Sequence, residues 1–194
     1  MEHGMSTFSR VLVLTLAATG AVACSSGQAA DWRPQLKVGE TTLVLNGVGS
    51  RTKAFIGLYE SGLYLQQTSK DAAAIISADE CMAVRVKITS RLVSRASLVS
   101  SLEEGLEKST KGNVAEIRAE TAQFLQLLDE ELRIDDIIDF VHVPSKGLYV
   151  IKNGTAKGVV PNLKFKQALF GIWLSDKPAD ETLKRAMLTP SKLR

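Results

Sequence analysis

From Thr41 the chain reads TTLVLNGVGSRTKAFIGLYESGLYLQ, β-branched, apolar and small residues punctuated by Gly47, Gly49, Gly57 and Gly62. Both halves of this run, TTLVLNGVG and KAFIGLYESGLYLQ, read as strand, and Gly57 and Gly62 mark bulges or a close backbone approach. CMAVRVKIT follows the same rule more openly. Met82, Val84, Val86 and Ile88 alternate with Ala83, Arg85 and Lys87, which predicts a strand with one wet face.

Helical spacing begins after Ser94. Ser94 or Ser97 can cap SLVSSLEEGLEKS, with Leu98, Leu102 and Leu106 on one stripe. NVAEIRAETAQFLQLLDEEL repeats the spacing with Ile117, Thr121, Phe124 and Leu128. DIIDFVHV and GLYVIKNG are strands joined across Pro144-Ser145-Lys146-Gly147, and Asn153-Gly154 is a second turn signal. LKFKQALFGIWLS reads as an amphipathic helix, and Pro178 opens a last helix, ADETLKRAML. Strands, helices, a hairpin and more helices define an α+β chain: a large antiparallel β-sheet with a layer of helices on one face.

Residues 1–30 read as an export segment and short tether, leaving residues 31–194 as one domain. Arg10 precedes VLVLTLAATGAVA, an apolar run too short for a comfortable membrane span. Ala21-Val22-Ala23 fits the small-x-small rule for cleavage, and Gly27-Gln28-Ala29 offers a second cut. AVAC is an imperfect lipobox, with Ala21 where leucine is usual. The expected location is the periplasm, and a lipid on Cys24 would be the only membrane contact. Cys81 then stands alone in the mature domain, at the head of a strand, as a small buried hydrophobe.

Several chemistries lack residues. Of two histidines in the chain, only His142 belongs to the expected domain, which leaves metal and triad chemistry without partners. GxGxxG, P-loop and GxSxG patterns are absent. Asp129–Glu131 and Asp135-Asp136 flank a helix end and a loop, as solvated charges do. A net charge of +3 and 6% aromatic residues do not suit nucleic acid.

The ordered set LNGVGSRTKAFIGLYESGLYL, AETAQFLQLLDEEL, DDIIDFVHVPSKGLYVIKNGTAKG and ALFGIWLSDKPADETLKRAML resembles the chalcone isomerase family over nearly the whole expected domain. Trp173-Leu174-x-Asp176-x-Pro178 is especially similar to its bacterial chalcone-isomerase-like branch. The resemblance implies an open-faced β-sandwich with a cleft between sheet and helices. It places the family's catalytic arginine at Arg51 and the threonine of the next strand at Tyr59. With Leu98 and Leu102 on the family's apolar stripe, Ser94, Ser97 and Ser101 stand where the enzymes have tyrosine, lysine and asparagine. Gly171 stands at the C-terminal polar position. Donors that stabilise charge act only at fixed geometry and together, so chalcone isomerase activity is not expected.

What the resemblance leaves is Arg51, able to take a carboxylate bidentately. If the strand is regular, Arg51, Phe55, Gly57 and Tyr59 share one face and Tyr64 the other; a bulge at Gly62 would bring Tyr64 in as a lesser candidate. The expected ligand site is therefore Arg51, Tyr59 and Tyr64, with apolar walls from Phe55, Phe124, Phe170 and Trp173. The ligand would be a small amphipathic anion such as a fatty acid, with no cofactor and no metal. Two alternatives stay open, an isomerase or lyase acting through Arg51 and an envelope interaction protein with no ligand. Export has a direct check: intact mass of the protein from its cells should fall short by roughly the first 23 to 30 residues. A full-length cytosolic species refutes export, and a diacylglycerol increment on Cys24 selects the lipoprotein route.

Overall fold

Seven strands lie side by side in chain order, each antiparallel to the next. They are β1 (Gln35–Val38), β2 (Thr41–Lys53), β3 (Ile56–Leu65), β4 (Met82–Ile88), β5 (Ile137–Val143), β6 (Gly147–Lys152) and β7 (Thr155–Val160). The computed structural model describes residues 32–190. The expected export segment, its expected cleavage sites and Cys24 lie outside the described residues, as do residue 31 and residues 191–194.

Helices occupy the links. α1 (Ala72–Ser77) joins β3 to β4; α2 (Arg95–Ser109), a 3₁₀ turn (Val114–Ile117) and α3 (Arg118–Gln126) join β4 to β5; α4 (Leu163–Leu174) and α5 (Glu181–Met187) follow β7. The alternation in β4 assigns the layers. Val84, Val86 and Ile88 enter one core with Leu98, Leu102 and Leu106 of α2 and with Phe165, Leu169 and Trp173 of α4. Ala83 enters a second, smaller core with Leu45, Tyr64, Val141 and Ile151, covered by Trp32 and by Leu36 and Val38 of β1. The second core holds no helix residue, so the helices gather on one face of the sheet.

Four elements depart from the sequence reading. β1, α1 and β7 were not expected as separate elements; β7 begins at the Asn153-Gly154 turn, whose φ values of 50° and 80° suit a tight hairpin. The helix expected through Leu132 stops at Gln126. Beyond it Arg95 Nε donates to the Leu128 carbonyl at 2.7 Å and Lys152 Nζ to that of Glu131 at 2.7 Å, so side chains satisfy the backbone there. Three acids from Asp129 would also face the negative end of a longer helix. α5 is capped by Asp180, whose carboxylate accepts from Thr182 and Leu183 N–H, and Pro178 lies before that cap.

β2 carries the decisive irregularity. Leu45 pairs with Tyr64, but Gly47 pairs with Leu63, so Asn46 is one extra residue. A bulge of this kind reverses which side every later side chain faces. Gly47 and Gly49 thus face α5, and a Cβ at Gly47 would stand 2.2 Å from the Ala186 carbonyl oxygen. Asn46 is fully buried. Its Nδ2 donates to the Ser69 and Met187 carbonyls at 2.8 Å each, and its Oδ1 accepts from Ser69 N–H at 2.8 Å. Asn46→Ala should therefore lower stability by about 3 kcal/mol, about one for each hydrogen bond lost. Urea unfolding measures this, and a loss below about 0.5 kcal/mol would show that the bulge is held by other contacts.

Candidate functional site

Beyond the bulge β2 turns Arg51 toward the helical layer, where it pairs across the hairpin with Tyr59 of β3. Arg51 is half-buried and its Nη1 donates to the Ala179 carbonyl at 2.6 Å, in the link between α4 and α5. Among the described residues no carboxylate lies within ion-pair distance of it. Tyr59 is buried, and Trp173 Nε1 of α4 donates to its hydroxyl at 3.3 Å. Burial pushes the Tyr59 phenol above its ordinary range, while Arg51 and the Trp173 hydrogen bond pull the other way. The phenol is thus a donor at neutral pH and not a base.

These groups border a cavity between the sheet and α2 and α4. Val86, Ile138, Phe140, Leu98, Leu102 and Ile172 make its apolar walls, and Ser101 adds one hydroxyl. Its volume is about 20 Å³, room for water and not for an acyl chain. A second void of about 10 Å³ shares Leu98 and Ile138 with it and continues beneath α2 toward Leu128 and Lys157.

The structure sorts the candidates. Arg51 and Tyr59 meet, through cross-strand pairing of two strands and not along one regular strand. Tyr64 is corrected: it lies in the second core, with its hydroxyl donating to the Arg33 carbonyl at 3.0 Å and its pKa pushed up to about 12 by burial. The bulge that matters is at Asn46, before Arg51, so it leaves Tyr64 on the far face. Gly62 instead admits the Trp32 ring, which a Cβ would meet at 2.5 Å.

Phe55 is corrected too: it sits in the β2–β3 turn, fully exposed at 102%. Trp173 reaches the cavity, whereas Phe124 is core, with ring centroids 5.6 Å from Phe140 and 5.2 Å from Phe165. Phe170 is core as well, under the Lys166 ammonium at 5.0 Å. Ser94 and Ser97 form the capping box of α2, and only Ser101 faces the cavity. Gly171 packs on Ser109, where a Cβ would come within 2.8 Å. Cys81 is buried and its thiol pKa is raised by burial, as suits a small hydrophobe.

A buried cation went unread in the sequence. Lys166 of α4 is fully buried, and its Nζ donates to the Ile75, Ile76 and Ala78 carbonyls at 2.8, 3.0 and 2.8 Å. It closes the C-terminal end of α1, where a positive charge is favoured. Burial lowers its pKa to about 8, with Asp79 and Glu80 opposing. Asp79 in turn meets His142 Nε2 at 2.7 Å, and burial lowers the His142 pKa, which keeps the imidazole neutral near pH 7. The signal was available as a lysine on the apolar stripe of FKQALF.

The sequence matches the family described as chalcone isomerase-like over residues 26–189, and the chain belongs to that family. No curated protein matches it in sequence. Among solved structures it is similar to a fatty-acid-binding protein of Arabidopsis thaliana, with 20% identity and a TM-score of 0.63. The similarity covers 78% of this chain and 88% of that one, and it shows a shared fold.

Lys166 gives this region a pH signature. Its folded pKa of about 8 is below the ordinary lysine value near 10.4. Between those values the unfolded chain binds the extra proton, so stability should rise with pH. Below about pH 8 the buried charge carries its full penalty. Lys166→Met should lack this rise, so the stability of the native chain minus that of the variant should climb from pH 8 to pH 10. Denaturant unfolding across that range reads the difference, and a flat difference would show that the ammonium is not desolvated.

Proposed function

We propose that this chalcone-isomerase-like protein is a non-catalytic binder of a small amphipathic carboxylate such as a fatty acid. One observation carries the reading: a half-buried guanidinium, given only one carbonyl by the described fold, borders an apolar cavity beside a protonated phenol. Arg51 supplies the charge and the planar fork, and Tyr59 a hydroxyl donor. Family membership and the shared fold of a fatty-acid-binding protein support this class of ligand.

An acyl chain would run from Arg51 past Leu98 and Ile138 into the void beneath α2. It enters only in a minor conformation in which the first turns of α2 rise from the sheet. The hold on those turns is uneven. Ser109 Oγ ties the far end of α2 to the Ala168 carbonyl at 2.7 Å and Gly105 seats Ile172, while among the described residues the near end is hydrogen-bonded across to the α3–β5 link through Arg95 and the Leu128 carbonyl.

The polar groups facing the cavity are Arg51, Tyr59, Ser101 and Trp173 Nε1, and none of them is a general base at neutral pH. That favours binding over an isomerase or lyase acting through Arg51. The small volume favours the remaining alternative, an interaction protein with no ligand, and calorimetry separates the two. Export to the periplasm belongs to the proposal and rests on the architecture of residues 1–30.

Calorimetric titration with a medium-chain fatty acid tests the site. Arg51→Ala should weaken binding by about 2–5 kcal/mol, thirtyfold or more. Arg51→Lys should recover part of it, since an ammonium lacks the bidentate fork. Tyr59→Phe should lose about 1 kcal/mol, one hydrogen bond. Equal affinities across the series would reduce Arg51 to a tie on the Ala179 carbonyl. No heat with any acid would leave the interaction protein, and flavanone formation from an added chalcone above the spontaneous rate would restore an enzyme.

A further inference from the structure

The turn between β2 and β3 is built against its own geometry. Lys53 pairs with Ile56, so Ala54 and Phe55 form a two-residue loop, with φ values of 48° and 66°. Both lie in the left-handed region, where Asn-Gly is preferred and a bulky residue is an outlier. The β6–β7 hairpin of the same sheet places the preferred pair, Asn153-Gly154, in its turn. Phe55 thus combines backbone strain with a ring that the described fold leaves fully exposed, a combination that points to use.

Two more loops come to the same end. Thr89 N–H donates to the Leu58 carbonyl at 3.1 Å, and Ile88 exchanges bonds of 2.9 Å with Asp135 and Asp136. The hairpin tip, the link after β4 and the link before β5 therefore sit together. They hold Phe55, Ile56, Leu92 and Ile134, which are the exposed large apolar residues of the described chain. Interleaved with them are Lys53, Arg91 and Arg133, all exposed and none in an ion pair among the described residues. Of the nearby acids, Asp135 is paired with Lys87, Asp136 and Glu130 with Lys152, and Glu104, which feels the Lys53 charge, with Lys108, which leaves Asp129 and Glu131.

We propose that this end of the sheet is a peripheral docking surface for an anionic lipid bilayer, entered by Phe55 and Leu92 and held by Lys53, Arg91 and Arg133. Apolar side chains on separate loop tips with cations between them suit an interface where rings reach the acyl boundary and cations meet headgroup phosphates. A protein partner would favour a contiguous, closely packed centre. The contact is peripheral, since no helix among the described residues is long and apolar enough to cross a membrane. The proposal stands on the rim and not on what Arg51 binds.

Sedimentation of the full chain with vesicles tests it, comparing phosphatidylcholine alone with phosphatidylcholine mixed with phosphatidylglycerol. Residues 1–30 are common to every sample, so differences between variants read the rim. The full chain should prefer the mixed vesicles and release in high salt. Phe55→Gly should weaken binding about tenfold while keeping the fold, since glycine takes a positive φ without strain. Lys53→Gln, Arg91→Gln and Arg133→Gln should each weaken it about fivefold. The indole introduced by Phe55→Trp should be quenched by brominated lipid. Equal binding of all variants, or no preference for the anionic lipid, would overturn the proposal. Self-association that Phe55→Gly abolishes would overturn it in favour of a second copy of the chain.

Discussion

Asn46 inserts one residue into β2, and every side chain after it faces the side it would otherwise have turned away from. Leu45 joins the helix-free core with Tyr64, whereas Gly47, Gly49 and Arg51 face the helices. Strand alternation has period two, so no gradual adjustment substitutes for the bulge. Its consequences are linked. The bare backbone of Gly47 lets α5 approach, α5 brings the Met187 carbonyl to Asn46, and the residues preceding α5 bring the Ala179 carbonyl to Arg51. Without the inserted residue the guanidinium would lie on the face of Tyr64.

Two inward cations show how differently the fold treats charge. Lys166 is compact and has three donors, and three carbonyls at the end of α1 take them. Arg51 has five donors in a fixed fork, and the described fold gives it one carbonyl acceptor. The first arrangement is closed and structural: it fastens α1 to α4 and leaves a charge whose desolvation penalty persists at neutral pH. The second keeps donor capacity at the edge of an apolar space. On these grounds Arg51, and not the more deeply buried Lys166, is the candidate for holding an anion.

The layers were legible in the sequence, because alternation in CMAVRVKIT and helical spacing from Ser94 depend only on which side meets the core. The resemblance located Arg51, Tyr59 and Trp173 within one region. Parity within the first hairpin was not legible. Counting straight from Arg51 to Tyr59 gave the right face for both through the wrong path, and the same count put Phe55 on the wall. A turn made of Ala54 and Phe55 has none of the residues that announce a two-residue hairpin. A bulge at Asn46 has no local signal either, since its clamps, Ser69 and Met187, are 23 and 141 residues away. Lys166 was legible in part, as a lysine on the apolar stripe of FKQALF, but its acceptors are about ninety positions distant.

The hairpin joins both ends of the functional reading. Arg51 and Tyr59 are its last inward residues, and Lys53, Phe55 and Ile56 are its outward tip. Between them the register shifts again, with Arg51 opposite Tyr59 but Thr52 opposite Gly57, so Leu58 is an extra residue. A bulge thus lies on each side of the site, and Asn46 holds the root of the strand pair. The half-buried guanidinium is set between these two bulges, next to the loops that carry the exposed apolar rim. An anion reaching the rim would meet Lys53 first and Arg51 two residues back along β2, before the apolar space beneath α2.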